Sequence, residues 1–250
     1  MKINDNAIRE AYEKHYEVYA VGMDWTIEHH IEMWATAKKA IDKKSYVDFE
    51  ELYENLRKYW QVFRSSKAYT PPDPRKVFNL LDKLNARFST MKLSGLKESD
   101  MESLWEVLIK ASEIKRNTYC PSMMAVSKFL HFWNPRLFVI VDRARMWDYA
   151  FKHQWVWEDI EGTYNELENA LPEKILQAKE FNGCDFRYYP AILLWCSRII
   201  NSNPNICSIF YEYLCDKYHN PPRYLEQYEA AAVEWLICGL VEMPPRGVKI

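Results

Sequence analysis

A lysine and an aspartate in the segment 120–150 have residue types suited to nucleophilic chemistry. Lys128 lies in an otherwise apolar stretch, where an ammonium group loses hydration and the neutral, nucleophilic amine is favoured. Asp142 follows the short apolar run Leu137 to Val141 and is predicted to open the next helix. The N–H groups and the dipole at a helix start keep a carboxylate ionised. The two residues are therefore a candidate nucleophile and a candidate carboxylate close to it in the chain.

Two short pieces of this segment resemble the catalytic segment of helix-hairpin-helix DNA glycosylases, in particular the branch that removes 8-oxoguanine. Ser127-Lys128 is similar to the Thr-Lys or Ser-Lys pair of that family. Val141-Asp142-Arg143-Ala144-Arg145-Met146-Trp147 is similar to its aspartate segment, with one residue more before the tryptophan. The resemblance covers about thirty residues. It departs from the family at Pro121 to Ser127, which contains no glycine where the family carries a phosphate-gripping Gly-x-Gly turn.

The resemblance implies a helical fold of the glycosylase type and a function on damaged nucleic acid, as in DNA repair. In that reaction Lys128 attacks C1′ of a flipped nucleotide and forms a Schiff base with the sugar, while Asp142 stabilises the developing positive charge. Arg143 and Arg145 are the candidate anion-binding residues near Asp142, and surface ion pairs would explain them equally. The candidate walls of the nucleotide cavity are Phe132, Trp133 and Trp147.

The same residues also fit a protein without catalysis. Aspartate is a favoured helix N-cap, so Asp142 needs no chemical role. Lys128 can extend its ammonium to solvent over a buried stem, or pair with Asp142 for structural reasons. The alternative function is therefore a non-enzymatic helical interaction or scaffold protein. A structure in which Lys128 and Asp142 converge on a solvent-reachable pocket favours the enzyme.

Three weaker candidates lie elsewhere. Glu28-His29-His30-Ile31-Glu32 places His and Glu side chains on one helix face, where they could bind a metal. The segment is not the zinc-binding motif His-Glu-x-x-His, and a polar helix surface explains it better. Trp155-Val156-Trp157 could stack on bases or ligand rings, although tryptophans in helical proteins more often fill the core. The segment 185–189 could line a pocket mouth, but a loop anchored by aromatic side chains explains it better. We expect neither a metal nor a cofactor.

Helical periodicity runs through nearly the whole chain and predicts an all-α fold. Apolar residues recur at three- and four-residue steps from Ala7 to Ala20, and Ser45 or Asp48 is predicted to open a later helix. Further helices are predicted around 143–153, 164–181, 190–201, 205–218 and 222–240. The best strand candidate is Leu137 to Val141, which buried irregular backbone would also explain. We expect a single compact domain over 1–250, in which 1–70 is a candidate helical subdomain and 71–250 the main body.

Composition limits the classes of protein. The 250 residues include 33 Lys and Arg against 35 Asp and Glu, six glycines and six cysteines. Neither a glycine-rich phosphate loop nor a Cys-x-x-Cys pair occurs, which argues against nucleotide-loop enzymes, zinc knuckles and iron–sulfur proteins. Without a signal-like or membrane-length apolar run, a cytoplasmic protein with no membrane partner is expected. Residues 71–150 carry 13 basic and 9 acidic side chains, so a nucleic-acid partner fits this third of the chain best. The oligomeric state does not follow from the sequence.

Overall fold

Ten α-helices make up most of the computed structural model, which describes residues 1–20, 27–60, 62, 71–114, 122–141, 143–170 and 185–241. No strand occurs within these ranges, so the predicted all-α class is confirmed there. The α-helices are α1 (Asp5–Ala20), α2 (Ile27–Asp42), α3 (Tyr46–Lys58), α4 (Pro74–Phe88), α5 (Met101–Ala111), α6 (Met123–Trp133), α7 (Gln154–Ala170), α8 (Tyr189–Ser202), α9 (Ile206–Lys217) and α10 (Glu229–Leu240).

Local sequence signals define several helix starts. Ser45 caps α3, and its side chain accepts a hydrogen bond from the backbone N–H of Asp48 at 3.2 Å. Asp73 caps α4 in the same way, with Pro74 as the first helical residue. A side-chain oxygen at the N-cap satisfies a backbone donor that the helix cannot pair, and proline at the first position loses no helical hydrogen bond.

Three helical predictions differ from the structure. The predicted helix at 143–153 is a π-helix over Arg143–Phe151. The helix predicted at 164–181 starts earlier, at Gln154, and is described as far as Ala170. The helix predicted at 222–240 is divided into a 3₁₀ segment, Arg223–Gln227, and α10, because Tyr228 leaves helical geometry with ψ of 67°.

The core lies where α6, α8 and α10 are buried on nearly all sides. Around them, α1 packs on α10, α2 on α3 and α6, α4 on α5, and α7 on α8. Leu137–Val141 passes through this core as irregular backbone, so the strand candidate is buried but not paired in a sheet. The division at residue 70 stays a prediction. Within the ranges above, no helix is both long and apolar enough to cross a bilayer.

Candidate functional site around Lys128

Lys128 lies on α6, a central helix whose side chains are almost all buried. The helix begins after Ser122, which caps it by accepting a hydrogen bond from the N–H of Ala125 at 3.4 Å. Its sequence is apolar around most of the circumference, and such helices are buried on all sides. The polar exceptions, Ser127, Lys128 and His131, are therefore carried into the interior, where polar groups need partners.

The amine of Lys128 is buried against Trp60. The residue is 2% exposed, and its Nζ donates a hydrogen bond to the carbonyl oxygen of Trp60 at 3.3 Å. Nζ also lies 5.2 Å from the centre of the Trp60 ring. That ring packs edge to face against Phe132, with centroids 5.6 Å apart. One predicted wall, Phe132, is thus joined to Lys128 through Trp60.

The other two predicted walls lie in different aromatic clusters. Trp133 packs against Phe49 and Phe78, with ring centroids 5.6 and 5.9 Å away. Trp147 packs against the rings of Trp157 and Tyr188. Both tryptophans are buried, as core side chains are.

The remaining predicted site residues are only partly covered by the structure. Asp142 lies outside the described residues. The backbone of Arg143 and Arg145 belongs to the π-helix, but their side chains lie outside what is described.

Buried side chains hold the segment Leu137–Val141 that leads to Asp142. All five residues are at most 2% exposed, and backbone polar groups buried in this way need hydrogen-bond partners. Side chains of α6, α8 and α10 supply them. His131 Nδ1 donates to the carbonyl of Phe138 at 2.7 Å, and the hydroxyl group of Tyr189 donates to the carbonyl of Val139 at 2.8 Å. Glu234 Oε2 accepts from the N–H of Ile140 at 3.1 Å, and Ser127 Oγ accepts from the N–H of Val141 at 3.0 Å.

The last of these hydrogen bonds links the two halves of the predicted pair. Ser127 immediately precedes Lys128, and Val141 immediately precedes Asp142. The hydrogen bond from Val141 N–H to Ser127 Oγ therefore brings together the residues next to both candidates.

His131 is held as a neutral imidazole between two partners. The indole N–H of Trp34 donates to Nε2 at 3.1 Å. Because an indole nitrogen only donates, Nε2 is the acceptor, and Nδ1 carries the proton that it donates to the carbonyl of Phe138. Burial lowers the pKa of His131 from 6.5 to about 4, against the opposing effect of the hydrogen bond to Phe138. Glu234 Oε2 lies 3.9 Å from Nδ1, beyond hydrogen-bond distance.

The buried His131 is expected to make the protein less stable in mild acid. Between pH 6.5 and 4 the unfolded chain takes up a proton on this residue and the folded protein does not. The contribution of neutral His131 to the free energy of unfolding is therefore present above pH 6.5 and is lost as the pH falls to about 4. The expected loss is about 3 kcal/mol of unfolding free energy, measurable by urea denaturation across this range. His131→Gln should show a shallower dependence on pH, and the same substitution at the exposed His153 is the control. An unchanged slope in His131→Gln would contradict the assignment.

Sequence reasoning missed three residues that shape this site: Trp60, Tyr189 and Glu234. Only Glu234 carries a local signal, since it is a single charge within the apolar run Ala-Ala-Ala-Val-Glu-Trp-Leu-Ile-Cys. A charge buried among apolar residues is normally paired or hydrogen-bonded. Trp60 and Tyr189 follow no such rule, because their partners lie 68 and 50 residues away in the chain.

Comparisons with known proteins give no family for this chain: no family model, curated protein or solved structure matches it. Among the described residues, no three His, Cys, Asp or Glu side chains come together as a metal site would require. In the Glu28–Glu32 segment, His30 is instead buried against Trp34, with ring centroids 5.1 Å apart.

Proposed function

We propose that the protein acts on damaged nucleic acid as a glycosylase or lyase, with the amine of Lys128 as its nucleophile. The observation that carries this proposal is a lysine buried in the core whose helix is hydrogen-bonded, through Ser127, to the residue before Asp142. Burial removes hydration from an ammonium group and so makes an amine more easily deprotonated than one in water, and nucleophilic lysines are activated in this way.

The proposed reaction is an attack on the sugar. The neutral amine of Lys128 forms a bond to C1′ as the bond from C1′ to the base breaks, and the base leaves with that electron pair and takes up a proton. The nitrogen lone pair then forms the C=N bond as the C1′–O4′ bond breaks and the sugar ring opens. O4′ keeps the electron pair of the broken bond and takes up the second amine proton, which leaves an imine between Nζ and C1′. The role of Asp142 is to stabilise the positive charge that develops on the sugar.

Access to the amine requires a movement of Trp60. Its carbonyl group accepts the Lys128 hydrogen bond, and its ring stands between Lys128 and Phe132 as their common neighbour. A nucleotide can reach Nζ only after this hydrogen bond is replaced. Loops and segment ends commonly make such movements when an active site opens.

Borohydride trapping tests the proposal directly. Incubation of the protein with a duplex that contains an abasic site, followed by borohydride, should give a covalent protein–DNA adduct, because the reductant converts the imine to a stable amine. The adduct is expected to fall to background in Lys128→Ala, read on a denaturing gel. The adducted residue should be Lys128 by peptide mass spectrometry.

The control is a lysine on the surface. Lys110 on α5 has a side chain 63% exposed, so Lys110→Ala removes an amine that is far more accessible to solvent but lacks the burial of Lys128. It is expected to leave the adduct unchanged. Adduct formation that survives in Lys128→Ala, or is absent from the wild-type protein, would overturn the proposal.

The second candidate is a non-enzymatic helical interaction protein. It is favoured by the hydrogen bond that already occupies the Lys128 amine inside the core. In that case Lys128 serves only the packing of α6 against Trp60. The trapping experiment separates the two functions, since a scaffold protein forms no specific adduct at this residue.

A further inference from the structure

An aromatic corner, formed by Trp147, Trp157 and Tyr188, encloses the ammonium group of Lys152. Nζ of Lys152 lies 3.4 Å from the centre of the Trp157 ring, 4.6 Å from that of Trp147 and 5.9 Å from that of Tyr188. The two indole planes meet at 87°, so that Nζ lies over the faces of two walls at a right angle. Ring faces carry negative charge density and attract cations.

Three separate elements build this corner. Trp147 belongs to the π-helix, Trp157 to α7, and Tyr188 ends the 3₁₀ segment Asp185–Tyr188. The ring of Tyr188 is 4.9 Å from that of Trp157 and 5.8 Å from that of Trp147, centre to centre. π-Helical geometry is rare and is found most often at functional sites.

The core and a neighbouring arginine support two of the three walls. Trp147 is 3% exposed and Tyr188 9%, so the core fixes both rings. On the side of Tyr188, the guanidinium group of Arg187 lies 4.8 Å from the ring centre and donates a hydrogen bond to the hydroxyl group at 2.8 Å. These contacts favour an arrangement of Trp147 and Tyr188 that persists when Lys152 leaves the corner.

Lys152 fills the corner from an exposed position, and its ammonium group has no acidic partner there within the part of the chain that the structure describes. Lys152 is an exposed residue just after the π-helix, so its ammonium group enters the corner from the solvent side. Among the described residues it has no ion pair, and its ammonium group contacts the three rings. A primary ammonium is strongly hydrated and loses part of that hydration here, which offsets the attraction to the rings.

We propose that the aromatic corner is a binding site for a trimethylammonium group, and that Lys152 occupies it when no ligand is bound. A quaternary ammonium is recognised by aromatic cages of this kind. It has no N–H groups to dehydrate, so it can displace the lysine, whose side chain swings out into solvent. The proposal is independent of the chemistry proposed for Lys128.

Titration with tetramethylammonium chloride tests the site, with tryptophan fluorescence as the readout and sodium chloride at equal ionic strength as the reference. Lys152→Ala is expected to bind about tenfold more tightly than the wild-type protein, as it should if the lysine fills the corner about nine-tenths of the time. Lys152→Arg keeps a competing cation and should bind as weakly as the wild-type protein.

Substitution of the walls shows whether the corner is the site. In the Lys152→Ala background, Trp157→Ala should abolish saturable binding. Trp157→Phe, which keeps a ring, should weaken binding severalfold, since indole is the better cation acceptor. Trp155→Ala is the matched control, because Trp155 is also half-buried on α7 but packs against His153. A melting curve for each variant confirms that it is folded.

Two results would overturn the proposal. One is the absence of saturable tetramethylammonium binding by Lys152→Ala, and the other is equal affinity in the wild-type protein and Lys152→Ala. Choline and Nε-trimethyl-lysine carry the same group on different molecules. Titrating both with Lys152→Ala distinguishes a small-molecule ligand from a methylated lysine side chain as the natural source.

Discussion

Gly239→Ala is expected to lower the free energy of unfolding by about 2 kcal/mol. Gly239 lies on α10 where it crosses α1, and a Cβ atom at this position would overlap the backbone carbonyl group of Ala11. Backbone atoms within a helix cannot turn aside as a side chain can, so the two helices must separate. Overpacking of this kind costs about 1–3 kcal/mol and sometimes more. The roughly 1 kcal/mol that alanine gains over glycine in a helix offsets only part of that cost.

Gly162→Ala is the matched control and should raise the free energy of unfolding. Gly162 is an exposed residue of α7, and a Cβ atom there would meet nothing within 4 Å. Alanine at this position is expected to add about 0.5–1 kcal/mol to the free energy of unfolding. Urea denaturation of both variants measures the contrast. A Gly239→Ala protein as stable as the wild type would show that α1 and α10 do not approach so closely.

Glu234→Ala is expected to lower the free energy of unfolding by about 3 kcal/mol. Glu234 is 4% exposed, and its Oε2 accepts the N–H of Ile140 within the buried segment Leu137–Val141. Alanine removes this acceptor and leaves a cavity. An unsatisfied buried donor alone costs about 1–3 kcal/mol, and the cavity adds to it.

Glu234→Gln should cost much less, about 1 kcal/mol, because the amide oxygen can accept the same hydrogen bond. Glu102→Ala, which changes an exposed glutamate of α5, is expected to stay within about 0.5 kcal/mol of the wild type. Thermal or urea unfolding of the three variants gives the comparison. A glutamine as damaging as alanine would show that the charge of Glu234 matters, and not the acceptor that it provides to Ile140.

The candidate site was predictable where its signal is local. The apolar surroundings of Lys128 left two alternatives, a buried amine or one that reaches solvent over a buried stem, and the structure places this lysine in the core. The irregular course of Leu137–Val141 was one of two readings of its apolar run. By contrast, Trp133 and Trp147 looked like equal candidates to Phe132, because all three are large and apolar. Residue type says that such a ring is buried, but not which neighbours it meets.

The spacing of the apolar residues predicts the helical class and most of the helix positions. A helix face repeats every three to four residues, so it can be recognised without any distant partner. The same spacing does not predict the hydrogen-bond partners of the buried polar groups. The acceptor for Ile140 is Glu234, 94 residues away, and the corner around Lys152 needs Tyr188 as well as two tryptophans. Such contacts depend on how helices pack, and packing brings together residues whose relation no local pattern records.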